Sequence, residues 1–426
     1  MEWDHAKAVQ QLAFTRIGMT ISLASPANQR RVENRWNTLV TALWSAVLIG
    51  ICIRIGLLSL DHDVFATYAD AGRKWIDSQP LYTYTRGFVY SPLIAALFAP
   101  FSAFPHSFGG VLWRLLTCTV LLAGVFWWLK EELHTEIPKA RYWLVFLLIL
   151  PLSLGNFNNG QANPLVTGLL MIAIVSAHRG RWTISALCLG VTAYLKIYPL
   201  AVGLLLVLLY PRQLGWRLLV TLLLMGALSF VLQEPGYVLE QYRRWFATRA
   251  ADDRRANMDI APRDFAMLLQ ALHINLSSQI RLILQLLAGI GAAAVCVYGR
   301  MRNWSENRLL IAVFSLGTCW MLLFGPSTED ATYAMIAPPL ALALVQTFGQ
   351  KISGWVPRLF CASYAVLLVG LILNAFFRLK KTPLTMSVQP LGAMIFLACA
   401  LIWIFNARFW LTPAGGQRKQ QVLLEI

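Results

Sequence analysis

Thirteen apolar runs alternate with polar segments along most of the chain. They fall near residues 38–58, 91–104, 110–129, 142–158, 162–177, 182–196, 199–210, 215–233, 281–298, 308–324, 331–348, 356–376 and 388–407. A helix needs about 20 apolar residues to cross the hydrocarbon core of a bilayer, and several runs approach this length. Because the runs lack the polar face of a soluble amphipathic helix, the pattern predicts an all-α, polytopic helical membrane protein.

The run at 91–104 differs from the others because Pro92, Pro100 and Pro105 interrupt it. We interpret it as a re-entrant or short helix that does not cross, which leaves about 12 transmembrane helices. With the N-terminus inside, the inner segments then carry 20 of the 36 Lys and Arg residues, and the short outer loops carry few outside 377–387. A crossing at 91–104 would turn most of the short basic segments outward. The positive-inside rule therefore favours the non-crossing interpretation.

This topology divides the chain into three parts. Residues 1–37 form a cytoplasmic N-terminal segment, residues 38–408 the transmembrane domain, and residues 409–426 a cytoplasmic tail. Two longer outer loops, 59–90 and 234–281, belong to the transmembrane domain. Twelve of the 20 acidic residues fall on the outer side, so we expect the polar chemistry of the protein to lie there.

Composition narrows the class of protein further. The chain is 58% hydrophobic and 13% charged, whereas a soluble domain is about 25% charged. This excludes a soluble enzyme, a disordered protein and a nucleic-acid binder. The net charge of +16 then fits positive-inside topology and contact with anionic lipid. All seven cysteines lie in apolar runs without a CxxC pair, which excludes a disulfide framework and a thiolate metal site.

Two carboxylates, Asp61 and Asp63, follow the first apolar run directly. A partly desolvated carboxylate at the membrane boundary suits a general base. Carboxylates two residues apart could also bind a divalent cation, although we expect no metal site. The alternative for Asp63 is capping of an interfacial helix, which its position alone favours slightly.

Further polar motifs recur at the predicted outer edge. Tyr82 and Tyr90 suit stacking on a sugar ring or an interfacial aromatic belt. The segment 156–163 contains four Asn and one Gln, and its side chains, Gln161 and Asn163 among them, could bind sugar hydroxyls or simply form a polar turn.

Basic and acidic side chains also lie at this predicted edge, and the basic ones suit phosphate binding. Lys196, flanked by Tyr194 and Tyr198, could bind phosphate or snorkel to the interface. The arginines of the second loop suit phosphate oxygens, or alternatively lipid headgroups and salt bridges within the loop; the candidates are Arg243, Arg244 and Arg263. Glu329 and Asp330 form a short acidic turn in which capping is expected to involve Asp330 more than Glu329.

The motifs follow one another in an order that resembles glycosyltransferase family 87. They are Asp-x4-Tyr at Asp63–Tyr68, Pro-Leu-Tyr at Pro80–Tyr82, Tyr-x-Pro-Leu at Tyr90–Leu93, Gly-Gln-x-Asn at Gly160–Asn163 and Lys-x-Tyr-Pro at Lys196–Pro199. The resemblance extends over about residues 38–345. It implies the fold of the GT-C superfamily of polytopic glycosyltransferases and transfer of mannose from a polyprenyl-phosphate donor.

The resemblance also implies roles for individual residues in an inverting transfer. Asp63 is the general base, with Asp61 in reserve. Lys196, Tyr198 and a loop arginine hold the phosphate, and Gln161 and Asn163 contact the sugar or organise the site. The binding set is completed by Tyr68, Tyr82, Tyr90, Glu329 and Asp330. One departure from the mycobacterial members is that their Ser-Pro-x-Ser-Trp-x-His-His segment reads Gly-Pro-Ser-Thr-Glu-Asp-Ala-Thr here, without histidine and with Glu329 or Asp330 in that region, which affects the expected acceptor and sugar.

The sequence therefore predicts a glycosyltransferase of the bacterial inner membrane with its active site on the periplasmic side. Its partners are the bilayer, a lipid-linked sugar donor and a lipid or glycan acceptor, and no cofactor is expected. The alternative is a lipid or glycolipid transporter or flippase, which would place its site near the midplane between related halves. No second half repeats the first. A scaffold without activity is a third alternative, which the polar cluster disfavours.

Overall fold

The computed structural model describes residues 26–57, 63–82, 87–133, 137–251, 254–326, 328–349, 354–377 and 380–410. Within these ranges the secondary structure is helical and contains no β-strand, which confirms the all-α prediction. Asp61, the reserve base, and the predicted C-terminal tail beyond Trp410 lie outside the described residues.

Seventeen α-helices follow one another along the described ranges. They are α1 (Pro26–Leu57), α2 (Val64–Ile76), α3 (Pro92–Ser102), α4 (His106–Lys130), α5 (Tyr142–Asn158), α6 (Asn163–His178), α7 (Trp182–Leu195), α8 (Leu200–Leu209), α9 (Trp216–Leu232), α10 (Pro235–Ala250), α11 (Phe265–Ala271), α12 (Ser278–Met301), α13 (Glu306–Leu323), α14 (Ala337–Gly349), α15 (Trp355–Ile372), α16 (Pro383–Met386) and α17 (Val388–Phe405). A 3₁₀ segment, Asp330–Ile336, leads into α14.

Nine helical segments among the described residues are long and apolar enough to cross a membrane. They are Val32–Leu57, His106–Lys130, Lys139–Asn158, Pro211–Leu232, Ser278–Met301, Glu306–Leu323, Asp330–Gly349, Trp355–Phe377 and Val388–Phe405. The polytopic architecture is thereby confirmed. The number 12 stays a prediction because α6, α7 and α8 are shorter than a full span.

The outermost helices turn apolar side chains away from the protein. On α12, Leu282, Leu286 and Ile290 are all more than half exposed. By contrast, α13 and α14 are almost entirely buried. An apolar exposed rim around an apolar core is what a helix bundle needs when its solvent is lipid.

Small residues allow α4 and α6 to approach closely. A Cβ on Gly168 would lie 2.4 Å from the carbonyl oxygen of Val120, and one on Gly124 would lie 2.6 Å from that of Gly168. Glycine contacts of this kind let membrane helices pack backbone against backbone. The contact fixes the relative position of two helices that begin with His106 and Asn163.

His106, Asn163 and the C-terminal end of α7 meet at one end of the bundle, which we call the site end. The segment containing α3 has both its ends there. Ser91, before α3, donates a hydrogen bond to the Tyr194 carbonyl at 3.0 Å, and His106, just after it, lies 3.8 Å from Asp63. This geometry fits a short helix that does not cross.

The two predicted outer loops contain helices and bind each other. The first contains α2, and the second contains α10 and α11. Side chains of α10 hold the backbone of the first loop: Leu81 N–H donates to Gln241 Oε1 at 3.0 Å, and Trp245 Nε1 donates to the Val89 carbonyl at 3.1 Å. The loops therefore form one layer over the site end. The first helix begins at Pro26, earlier than the predicted boundary at residue 38.

Candidate active site

Asp63 is the N-cap of α2. Its Oδ1 accepts a hydrogen bond from the Phe65 backbone N–H at 3.1 Å, as the capping alternative predicts. Its side chain is only 1% exposed, and Oδ2 has no hydrogen-bond partner among the described residues. Capping therefore occupies one carboxylate oxygen and leaves the other available for chemistry.

Arg114 lies about two turns after the start of α4 and pairs with this carboxylate. Its Nη2 donates to Asp63 Oδ1 at 3.0 Å, and its other donors bind three backbone carbonyls. Those carbonyls belong to Gly110, Phe157 and Asn158, at 3.0, 2.7 and 3.0 Å. Because the guanidinium is fully buried, this set of acceptors is what compensates its charge.

Arg114 belongs to no motif and was therefore not predicted from the sequence. A signal was present, since an arginine within an apolar helix indicates a functional role by default. His106 was missed as well. Its Nε2 lies 3.8 Å from Asp63 Oδ2, its side chain is 45% exposed, and its ring lies 5.3 Å from that of Phe65.

The turn at Asn159–Gly160 forms the wall behind Asp63. Gly160 has φ +62°, and a Cβ there would lie 2.6 Å from Asp63 Oδ1. Val64 N–H donates to the Asn159 carbonyl at 3.1 Å, and Trp113 Nε1 donates to the Gly160 carbonyl at 2.8 Å. The glycine of the Gly-Gln-x-Asn motif is therefore needed both for its backbone conformation and for the space it leaves.

A chain of amides and a lysine joins three separate motifs. Lys196 Nζ donates to Asn163 Oδ1 at 2.6 Å, and Asn163 Nδ2 donates to Asn156 Oδ1 at 2.8 Å. Asn156 Nδ2 in turn donates to the Ala331 carbonyl at 2.9 Å. Lys196 is therefore built into the site rather than only snorkelling. Gln161 is buried on the same segment, and its backbone N–H donates to the Asn156 carbonyl at 2.9 Å.

Three tyrosines of the first loop are connected by their hydroxyl groups. Tyr68 donates to the Tyr90 hydroxyl at 2.9 Å, and Tyr82 donates to the Tyr90 carbonyl at 2.6 Å. Tyr198 lies beside them, with its ring centroid 5.6 Å from Lys196 Nζ.

These phenols are neutral hydrogen-bonding groups. Burial raises the pKa of Tyr68, Tyr90 and Tyr198, and the Glu329 carboxylate adds to the rise in all three. Burial likewise raises the pKa of Tyr82.

Trp113 connects the tyrosines to the carboxylate. Its ring lies 5.7 Å from that of Tyr68, while its Nε1 binds the Gly160 turn that packs on Asp63. The predicted base and the predicted binding residues thus lie on two sides of one indole ring, at the same end of the bundle.

Two of the three candidate loop arginines have partners within the protein. Arg243 and Arg244 are exposed on α10, and Arg244 pairs with Glu240 at 2.7 Å. Arg263 is buried and donates to Gln389 Oε1 at 2.8 Å. The salt-bridge alternative therefore describes Arg244, and a phosphate-binding role for these three arginines stays a prediction.

The acidic turn at Glu329 and Asp330 differs from the sequence prediction in the residue that occupies the N-cap position. The 3₁₀ segment begins at Asp330, so Glu329 rather than Asp330 occupies the N-cap position, and the expected preference for Asp330 is wrong. The Glu329 backbone N–H donates to Thr332 Oγ1 at 3.3 Å. Glu329 Oε1 also lies 3.5 Å from Arg254 Nη1.

The sequence of this chain matches a known protein family. The model of glycosyltransferase family 87 matches residues 88–326, more than half of the chain. The matched segment contains Tyr90, Gln161, Asn163, Lys196 and Tyr198, and Asp63 precedes it. The search of the curated proteins found no match to the chain.

One solved structure is similar over most of the chain. It is the crystal structure of ArnT from Cupriavidus metallidurans bound to undecaprenyl phosphate, with 13% sequence identity and coverage of 85% of this chain and 77% of that chain. The TM-score is 0.35, which is too low to support an argument about a shared fold or site.

Proposed function

Because this chain belongs to glycosyltransferase family 87, we propose that it transfers mannose from a polyprenyl-phosphate donor to a hydroxyl of a lipid or glycan acceptor, with inversion. The proposed location is the periplasmic face of a bacterial inner membrane. One observation carries the proposal. The carboxylate of Asp63 and the cluster around Lys196 lie at the same end of an apolar helix bundle, where a lipid-linked donor can reach both from the bilayer.

Asp63 is the proposed general base. Its Oδ2 takes the proton of the acceptor hydroxyl as the hydroxyl oxygen bonds to the anomeric carbon. The bond from that carbon to the phosphate oxygen breaks, and its electron pair stays on the polyprenyl phosphate. Attack on the face opposite the leaving phosphate inverts the configuration.

Lys196 is the proposed partner of the leaving phosphate. Its hydrogen-bond partner, Asn163, is a neutral amide, so the ammonium keeps its full charge for an anion. The neighbouring hydroxyls of Tyr90 and Tyr198 are neutral and can donate to phosphate oxygens. A preorganised cation and donors where negative charge develops stabilise the transition state.

The first experiment measures sugar transfer by the purified protein in liposomes. The donor is radiolabelled polyprenyl-phosphate-mannose, with total membrane lipid extract as acceptor. Asp63→Asn should lower transfer about 10²- to 10⁴-fold because the base is removed. Asparagine caps helices as well as aspartate, but it leaves the buried Arg114 guanidinium without a counter-charge, so thermal unfolding in detergent is measured beside transfer to check that the variant folds. Asp70→Asn is the matched control, since Asp70 lies on α2 and pairs with Lys74 at the surface.

EDTA treatment and the Asp61→Asn variant test the alternatives of a metal-dependent step and of Asp61 as the base. EDTA should leave transfer unchanged, because the proposed step uses no metal, and Asp61→Asn should remain active. Loss of transfer in Asp61→Asn with retention in Asp63→Asn would assign the base to Asp61 instead. A wild type that moves labelled lipid between leaflets without forming glycosylated product would support the transporter alternative.

A further inference from the structure

Asp63 is a base without its own route to water. Its side chain is 1% exposed, and Oδ1 is occupied by Arg114 and the Phe65 backbone N–H. After each transfer the proton taken from the acceptor resides on Oδ2. It has to leave before the carboxylate can act again, and a group that connects Oδ2 to solvent lets it leave while the product still occupies the site.

His106 occupies the position between this oxygen and solvent. Its Nε2 lies 3.8 Å from Oδ2, and its side chain is 45% exposed. The residue is the first of α4, and Phe65 packs against its ring. The separation is longer than a hydrogen bond, but catalytic contacts commonly tighten when substrate binds.

We infer that His106 is the proton outlet of Asp63, an inference that rests on the proposed function. The Oδ2–H bond of the protonated Asp63 breaks and an N–H bond forms at Nε2 of His106. The resulting imidazolium then loses a proton to bulk water, and Asp63 is again a carboxylate. Imidazole suits this step because it both accepts and releases protons near neutral pH.

The surroundings of the pair contain few other titrating groups. Arg114 of α4 binds Asp63, and Arg54 of α1 donates to the Asn158 side chain beside it. Cys52 of α1 lies near Arg114. The described helix α3 contributes no titratable side chain.

The test compares two histidine variants in the liposome assay. His106→Asn should lower kcat by on the order of 10²-fold and lower KM with it, leaving kcat/KM unchanged, because substrate contacts remain and only a step after the transfer is slowed. His273→Asn is the matched control. His273 is exposed and has φ +63°, a conformation that asparagine tolerates, so this variant should match wild type.

Chemical rescue distinguishes a relay from a structural role. Added imidazole should restore a large part of kcat in His106→Ala and none in Asp63→Asn. Unchanged kcat in His106→Asn, or a loss that imidazole leaves untouched, would overturn the inference while an active wild type keeps the proposed function. A wild type inactive toward sugar transfer would overturn both.

Discussion

At the scale of single residues, Asp63 combines a structural and a chemical role through its two oxygens. Oδ1 caps α2 and pairs with Arg114, and Oδ2 is left without a partner among the described residues. A glutamate would place its carboxylate one bond farther out, against the Gly160 turn that already approaches Oδ1 closely. The space beside the Gly160 turn therefore fits the side-chain length of aspartate and not that of glutamate.

Arg114→Lys should separate positioning from charge. Lysine keeps the positive charge, but a single ammonium cannot reproduce the four hydrogen bonds of the guanidinium. We expect kcat to fall at least about tenfold with little change in KM, because Asp63 loses its fixed orientation. Arg114→Met should also lower stability by about 3–5 kcal/mol, since it leaves the buried carboxylate unpaired.

Steady-state kinetics in liposomes and thermal unfolding in detergent measure the two effects. Arg217→Lys is the control, because Arg217 is only half-buried and its contacts, the Gln213 carbonyl and the Trp216 ring, lie in its own helical segment. Equal kcat in Arg114→Lys and wild type would mean that the charge alone suffices and that the hydrogen-bond geometry has no role in turnover.

At the scale of helices, the close contact of α4 and α6 positions the site. The two helices begin with His106 and Asn163, and both supply side chains to it. Any change in their separation moves the Asp63–Arg114 pair relative to the Lys196–Asn163 pair.

Gly168→Ala should therefore destabilise the protein and lower its activity. The added methyl would lie 2.4 Å from the Val120 carbonyl oxygen, so the helices have to move apart. Overpacking of this kind costs about 1–3 kcal/mol. Thermal unfolding in detergent and the transfer assay give the two readouts.

Gly291→Ala provides the comparison for this variant. Gly291 is also in a membrane helix, α12, but a Cβ there meets nothing within 4 Å. Alanine has the higher helix propensity, so Gly291→Ala should be neutral or slightly stabilising. A Gly168→Ala protein as stable as Gly291→Ala would show that the α4–α6 contact is readily relaxed.

The sequence predicted the helices and the candidate site residues, but it did not predict which side chains contact those residues. Apolar runs located the membrane helices, and the order of motifs indicated that Asn163 and Lys196 belong to one site. Their hydrogen bond shows that the two side chains are neighbours, and their role in a site stays a prediction. The choice of Arg114 as partner of Asp63 depends on how α4 packs beside α5, and a linear pattern carries no information on that. The helix α10 was also missed, because its arginines and aromatic residues lack the apolar periodicity by which the other helices were found.

At the scale of the whole molecule, charged side chains collect at both ends of the bundle but differ in kind. The site end has Asp63, Lys196 and Glu329 around buried hydroxyls and amides. The opposite end has ion pairs between helix termini, such as Arg179 with Glu131 and His178 with Glu306. A site built at one end fits an enzyme that works at one membrane surface. The face of the membrane to which that end belongs is set by the positive-inside rule.

The predicted orientation places the site end in the periplasm, and sided labelling of cysteine variants tests it. Asp70 is exposed at the site end and Lys139 is exposed at the opposite end, so each can be replaced without disturbing the core. In intact spheroplasts a membrane-impermeant maleimide should label Asp70→Cys, and it should label Lys139→Cys only after permeabilisation. The wild type gives the background, because its seven cysteines lie in apolar helices. The reverse pattern would put the active site on the cytoplasmic face. The donor would then have to present its sugar on that side, and the periplasmic part of the proposal would be wrong even if transfer depends on Asp63.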